Sequence, residues 1–266
     1  PPPFVADDAD GYLEHVQFLA APEMKGRGAG SPELNQAADY IAKQFETAGL
    51  KPAGDGGTYF QEFAVTTGAK MGGDNRLEVT RKRGVDKLVP GEDYVPINFS
   101  GSGEVSGQAV FAGYGISADE LDYDDYTHFD VKDKIVIVLR YEPDFFEDDD
   151  ERGKRGRQRR YTRHSHLISK AINARDRGAK ALILVEGPGR RADSLIKFGS
   201  ISGPADAGIP VVQVQSSVVE KWFRGSGRSL RVLRRDINGK HKPQSFALAE
   251  SLTLKLGVDV DREQAM

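Results

Sequence analysis

The chain has 266 residues, with 37 Lys and Arg against 40 Asp and Glu, so its formal net charge is −3. That balance gives no global attraction to nucleic acid or to an anionic membrane. The absence of Cys excludes disulfides, thiolate metal sites and a Cys nucleophile. No window approaches a transmembrane length of apolar residues. The chain begins at Pro1 without the charged start and apolar middle of a signal peptide, and reads as processed or trimmed. Thirty Gly residues predict many tight turns and a strand-rich, α/β chain.

Residues 10–21 carry Tyr12, Val16, Leu19 and Ala20 at helical spacing, behind a possible cap at Asp10. A second helix is predicted over 32–48. Ser31 caps it and Pro32 occupies its first position. Leu34, Ala37, Ala38, Ile41 and Phe45 form its apolar face, and Gly49 ends it. The period then changes, and strands are expected at 59–66, 77–80 and 104–113. Residues 134–140 contain an unbroken β-branched run, the pattern of a strand covered on both faces. A helix at 167–177, strands at 181–185 and 209–214, and a short helix at 217–223 follow, so parallel pairing with helical crossovers is expected. The alternation over 246–256 predicts one long, half-buried strand, with Glu250 interrupting its apolar face. Between the core strands, six acids in 144–151 precede six bases in 152–160. The segment 144–160 reads as a charged surface excursion.

Candidate chemistry is sparse. Gly26 to Ser31 precedes a helix, but the element before it is helical, so a turn fits better than a nucleotide loop. His128 and Asp130 have the spacing of two zinc ligands, and His164 and His166 open a helix. The acids in 119–125 (Asp119, Glu120, Asp122, Asp124, Asp125) could offer oxygens to calcium without the spacing of an EF-hand; the alternative is a loop with Tyr123 and Tyr126 packed down and the acids in water. Asn98-Phe99-Ser100 is a glycosylation sequon. No nucleophile elbow is present, and no catalytic set is assigned.

Two groups of segments carry a resemblance. Phe111 to Ile116, Tyr123 to Tyr126, Asp130 to Val136 and Leu139-Arg140, followed by Ala171 to Leu184 and Ile209 to Val214, resemble the two halves of a protease-associated (PA) domain. His15 to Ala20, Met24 to Ser31, Ala37 to Ile41 and Phe45 to Pro52 resemble the N-terminal start of secreted zinc aminopeptidases, in which a PA domain is inserted. The resemblance implies a PA-type swivelling β/β/α domain over 67–245. It implies N-terminal helices and a first framework strand in 1–66, and a returning strand in 246–266 of an incomplete peptidase domain. It also implies a two-zinc parent with a Glu-Glu pair, which this sequence lacks. No catalytic or metal residue is therefore expected here, and no cofactor in this chain. The expected role is non-catalytic: shaping substrate access or binding peptide or protein partners. Contact residues are expected on surface loops, at Tyr114, Tyr123, Tyr126, Phe145, Phe146 and Arg159. The expected partners are the missing catalytic domain, a peptide substrate, and a second copy through the strand at 246–256. That strand should otherwise pair with 59–66. No nucleic acid or membrane partner is expected, and the location is extracellular or periplasmic. The alternatives are a stand-alone interaction module, or a hydrolase with a metal site at His128, Asp130 and His164.

Overall fold

A computed structural model describes residues 9–82, 84–146, 161–187, 194–201 and 206–265. Arg159 and most of the charged excursion lie outside the described residues. The chain divides into two compact units, Pro1–Gly68 with Arg262–Met266, and Ala69–Asp261. No described helix is long and apolar enough to cross a membrane.

The smaller unit holds α1 (Ala9–Leu19) and α2 (Pro32–Thr47). The cap of α2 is the expected one: Leu34 N donates to Ser31 Oγ at 3.2 Å. The expected apolar faces exist but are largely uncovered. Tyr12, Leu13, Val16, Ile41 and Phe45 are exposed, and Met24 and Ala37 are the buried side chains among this unit's described residues. The strand expected at 59–66 starts six residues later, as β1 (Val65–Met71), which pairs with β13 (Val260–Ala265). The reason is local. Asp55 N donates to Phe60 O, Gly54 N to Thr58 O and Glu62 N to Asp55 Oδ2, so residues 54–62 satisfy their backbone within a closed turn.

The larger unit is built on a nine-stranded sheet. In chain order its strands are β2 (Arg76–Arg81), β3 (Gly84–Leu88), β4 (Tyr94–Pro96), β5 (Gly103–Phe111), β8 (Ile135–Leu139), β9 (Ala181–Val185), β10 (Val211–Val214), β11 (Phe246–Ala247) and β12 (Thr253–Val258). A separate ribbon pairs β6 (Ser117–Ala118) with β7 (Tyr123–Asp124). The sheet order is β3-β2-β12-β5-β8-β9-β10-β4, with β11 beside β5. Strands β5, β8, β9 and β10 are parallel neighbours, as expected. The expected helices are α3 (Leu167–Asp176) and α4 (Ser216–Phe223), and α5 (Leu230–Lys240) follows.

Both faces of the parallel segment are covered. Ile135, Ile137 and Leu139 pack with Val219, Trp222, Leu233 and Ile237 from α4 and α5. Val136 and Val138 pack with Ala171 and Ala174 from α3. This double cover explains why β8 and β9 read as unbroken apolar runs.

The long strand expected at 246–256 is broken. Phe246 and Ala247 face Phe111 and Val110, and Thr253 faces Gln108. The intervening residues loop out at exposed Glu250, closed by Leu252 N donating to Ala249 O. The detour returns both Leu248 and Leu252 to the core. Strand β12 pairs with β2 and β5, not with 59–66, and Leu254 and Leu256 are fully buried in the sheet's own core.

Candidate functional site

The first candidate loops turn inward. In the segment joining β5 to β6, Gly113 and Gly115 take positive φ angles of 48° and 67°. This turns two backbone N–H groups toward Asp125. Asp125 Oδ2 accepts from Tyr114 N at 2.9 Å and Ile116 N at 3.1 Å, and Oδ1 accepts from the Tyr123 hydroxyl at 2.6 Å. A Cβ on Gly113 would lie 1.9 Å from Asp125 Oδ1, so only glycine permits this approach. The acids of 119–125 therefore do not all face water, since Asp125 is fully buried.

Tyr114, Tyr123 and Tyr126 are also buried, at 3%, 2% and 6% exposure, which corrects their expected display on surface loops. Burial pushes the Tyr114 phenol up to about 12 and raises Tyr123 and Tyr126 further. Phe146 is buried and packs edge-on against Tyr123, while half-buried Phe145 stacks on His241 at 4.3 Å. Tyr114, Tyr123, Tyr126 and Phe146 are thus core side chains, while Phe145 stays partly exposed.

The other sequence candidates are separate. His128 is exposed, and Asp130 Oδ1 accepts from Lys132 N in a local turn. His164 Nε2 lies 2.9 Å from Glu120 Oε1. His164 and the neighbouring Arg163, with a backbone hydrogen bond, hold Glu120 down at about 2. Among the described residues no three His, Asp or Glu side chains form a group that could hold a metal ion. The sequon is folded in: Asn98 Nδ2 donates to Ile201 O at 2.8 Å, and Ser100 is fully buried.

A cleft lies where β8 and β9 end. Its cavity is about 320 Å³, lined by Arg140 and Tyr141 just beyond β8, by Tyr161, Ser165 and His166 leading into α3, and by Leu167, Ile168 and Ile201. Carboxyl ends of parallel strands are where open α/β sheets form ligand crevices. Arg140 Nη1 donates to Glu186 Oε2, just beyond β9, at 2.7 Å, and its guanidinium lies 5.0 Å from the centroid of the Tyr141 ring. Its Nε–H is buried without an acceptor among the described residues. The Tyr141 and Tyr161 rings pack at 5.0 Å and 30°. Tyr141 sits at φ 66°, a left-handed conformation uncommon for a bulky side chain. The smaller unit has a roomier cavity of about 780 Å³, lined mainly by residues of α2 and of 59–65, including Leu34, Tyr59, Phe60 and Phe63. The β8–β9 cleft combines apolar walls with converging polar groups, the mark of a specific site.

A buried ionic group fixes the cleft wall. Glu142, 1% exposed, accepts from Thr162 N at 3.0 Å and from the Thr162 hydroxyl, tying down the residue next to Tyr161. Lys170 on α3 is completely buried and donates to Tyr114 O at 2.5 Å. Burial lowers the Lys170 amine, against the pull of Asp125 and Glu142. Burial likewise raises Asp125, against its three donors and Lys170. Sequence reasoning missed this network and the cleft. The available signals were a lysine on the inward face of α3, between Leu167 and Ala174, and Arg140-Tyr141 at the end of a buried parallel strand.

A family model described as "PA domain" matches residues 101–222. Residues 101–222 are a PA domain. The cleft-lining residues fall within the PA domain, as do Asp125, Glu142 and Lys170. No curated protein matches the chain. Similar solved structures include an aminopeptidase from Aneurinibacillus sp. strain AM-1, at 17% identity and a TM-score of 0.43, covering 97% of this chain and 46% of that one. A zinc aminopeptidase from Bacillus subtilis is similar at 17% identity and a TM-score of 0.39, covering 96% and 44%. A peptidase M28 precursor from Shewanella amazonensis is similar at 10% identity and a TM-score of 0.35, covering 97% and 52%. The chain spans about half the length of these proteins.

Proposed function

We propose that this chain is the non-catalytic, PA-containing portion of a secreted zinc-aminopeptidase-type protein, and that its PA domain binds peptide or protein substrate beside the catalytic domain. The observation that carries the reading is the β8–β9 cleft: a walled cavity of about 320 Å³ within the PA domain, with aromatic, aliphatic and hydrogen-bonding groups converging on it. The N-terminal motifs that resemble zinc aminopeptidases support the peptidase context. The uncovered apolar side chains of the smaller unit, Tyr12, Leu13, Phe45 and Phe63, offer packing area to the rest of a peptidase framework. Two zinc ions would belong to that framework, and the location would be extracellular or periplasmic. The test has two arms. The purified chain with added zinc should release no amino acid from aminoacyl-p-nitroanilides, and it should retain peptides from a mixed-sequence pool. Turnover, or failure to retain any peptide, refutes the proposal.

A further inference from the structure

The cleft's chemistry narrows what it takes. Three facts combine. Its walls are apolar and planar, with the Tyr141–Tyr161 pair facing a cavity also lined by Ile168 and Ile201. Its volume is at the low end for small-ligand sites, so it holds one bulky side chain with the adjoining peptide unit, not a long segment. The charge of Arg140 is already met by Glu186 at 2.7 Å, with 18% and 9% of the two side chains exposed. A ligand carboxylate would lie beside Glu186 and be repelled, so the cleft disfavours an acidic residue.

Resting on the peptide-binding reading, we infer that the cleft is selective for a peptide residue with a large uncharged apolar side chain, Phe or Leu in size. The side chain enters between the tyrosines and the isoleucines. The apolar walls choose the side chain, and the Glu186 carboxylate disfavours an acidic one.

Calorimetric titration of the whole chain with blocked peptides Gly-Gly-X-Gly-Gly, where X is Phe, Leu, Gly or Asp, tests this. The Phe and Leu peptides should bind on the order of ten-fold tighter than the Gly and Asp peptides. Tyr161→Ala should weaken the Phe peptide by about ten-fold while leaving the Gly peptide nearly unchanged. Ile201→Ala is the second wall variant, to be used if Tyr161→Ala does not fold. Equal binding of the Phe and Asp peptides overturns the inference but leaves the proposed function standing, as does Phe-peptide affinity unchanged in folded wall variants. Failure of the unmodified chain to bind any peptide overturns both.

Discussion

Replacing Asp125 separates the geometric role of its carboxylate from its charge. Two backbone N–H groups share Oδ2, and the Tyr123 hydroxyl meets Oδ1. Asp125→Ala strands all three donors in a fully buried site, and each unsatisfied donor costs about 1–3 kcal/mol. Release from the penalty of burying a carboxylate offsets part of that sum, so the net loss should be at least about 3 kcal/mol. Asp125→Asn behaves differently, because its single carbonyl oxygen can take the place of Oδ2 and keep both backbone bonds. Its amide can donate to the Tyr123 oxygen in place of Oδ1. The Asn variant should therefore lose only about 1 kcal/mol. Trp222 is the chain's single tryptophan and is buried against the core of the same unit, so its fluorescence reports this unfolding directly. In urea, the Ala variant should show a much lower midpoint than the Asn variant, and a Tm lower than the wild type by roughly 6–12 °C. Equal and small losses in the two variants would show that Asp125 does not hold the Gly113–Ile116 turn, and would refute the reasoning.

Gly113→Ala should be comparably damaging, by about 2 kcal/mol or more, because it adds a strained φ to a clash with Asp125; a Trp222 midpoint within experimental error of wild type would contradict this. Lys170 gives a pH signature. Its folded value lies below the ordinary 10.5, so between the two the unfolded chain holds a proton that the folded chain has released. Stability of the wild type relative to Lys170→Met should therefore rise with pH up to 10.5 and level off above it, and a flat difference would show that the amine is not strained by burial. In hydrogen exchange, the amides of α1 and α2 should exchange far faster than those of β8, β9 and β10, because the smaller unit buries so little apolar surface. Equal protection would mean that the smaller unit has a core of its own.

The elements legible in the sequence were those whose signal is local. Helix α2 has its cap, its Pro32 and its apolar spacing within one short stretch. Strands β8 and β9 show unbroken apolar runs because helices cover both faces. Strand β3 gave no signal, because it lies at the sheet edge with its first four residues exposed and no apolar alternation. The break between β11 and β12 was marked only by Glu250, and nothing local shows that the detour keeps both flanking leucines buried. The tyrosines were misplaced for a related reason. Asp125 is one acid among several in its stretch, and only the inward-turned N–H groups of residues 114 and 116 distinguish it. The cleft depends on longer range still, since Tyr141 and Tyr161 are brought together by Glu142 gripping Thr162.

The most direct measurement is photo-crosslinking of a benzophenone-bearing peptide to the intact chain, with the attachment sites mapped by mass spectrometry. Attachment concentrated at Arg140, Tyr141, Tyr161, Leu167, Ile168 and Ile201 is the predicted result. Attachment spread over the surface, or confined to residues outside the PA domain, would contradict peptide recognition at the ends of β8 and β9.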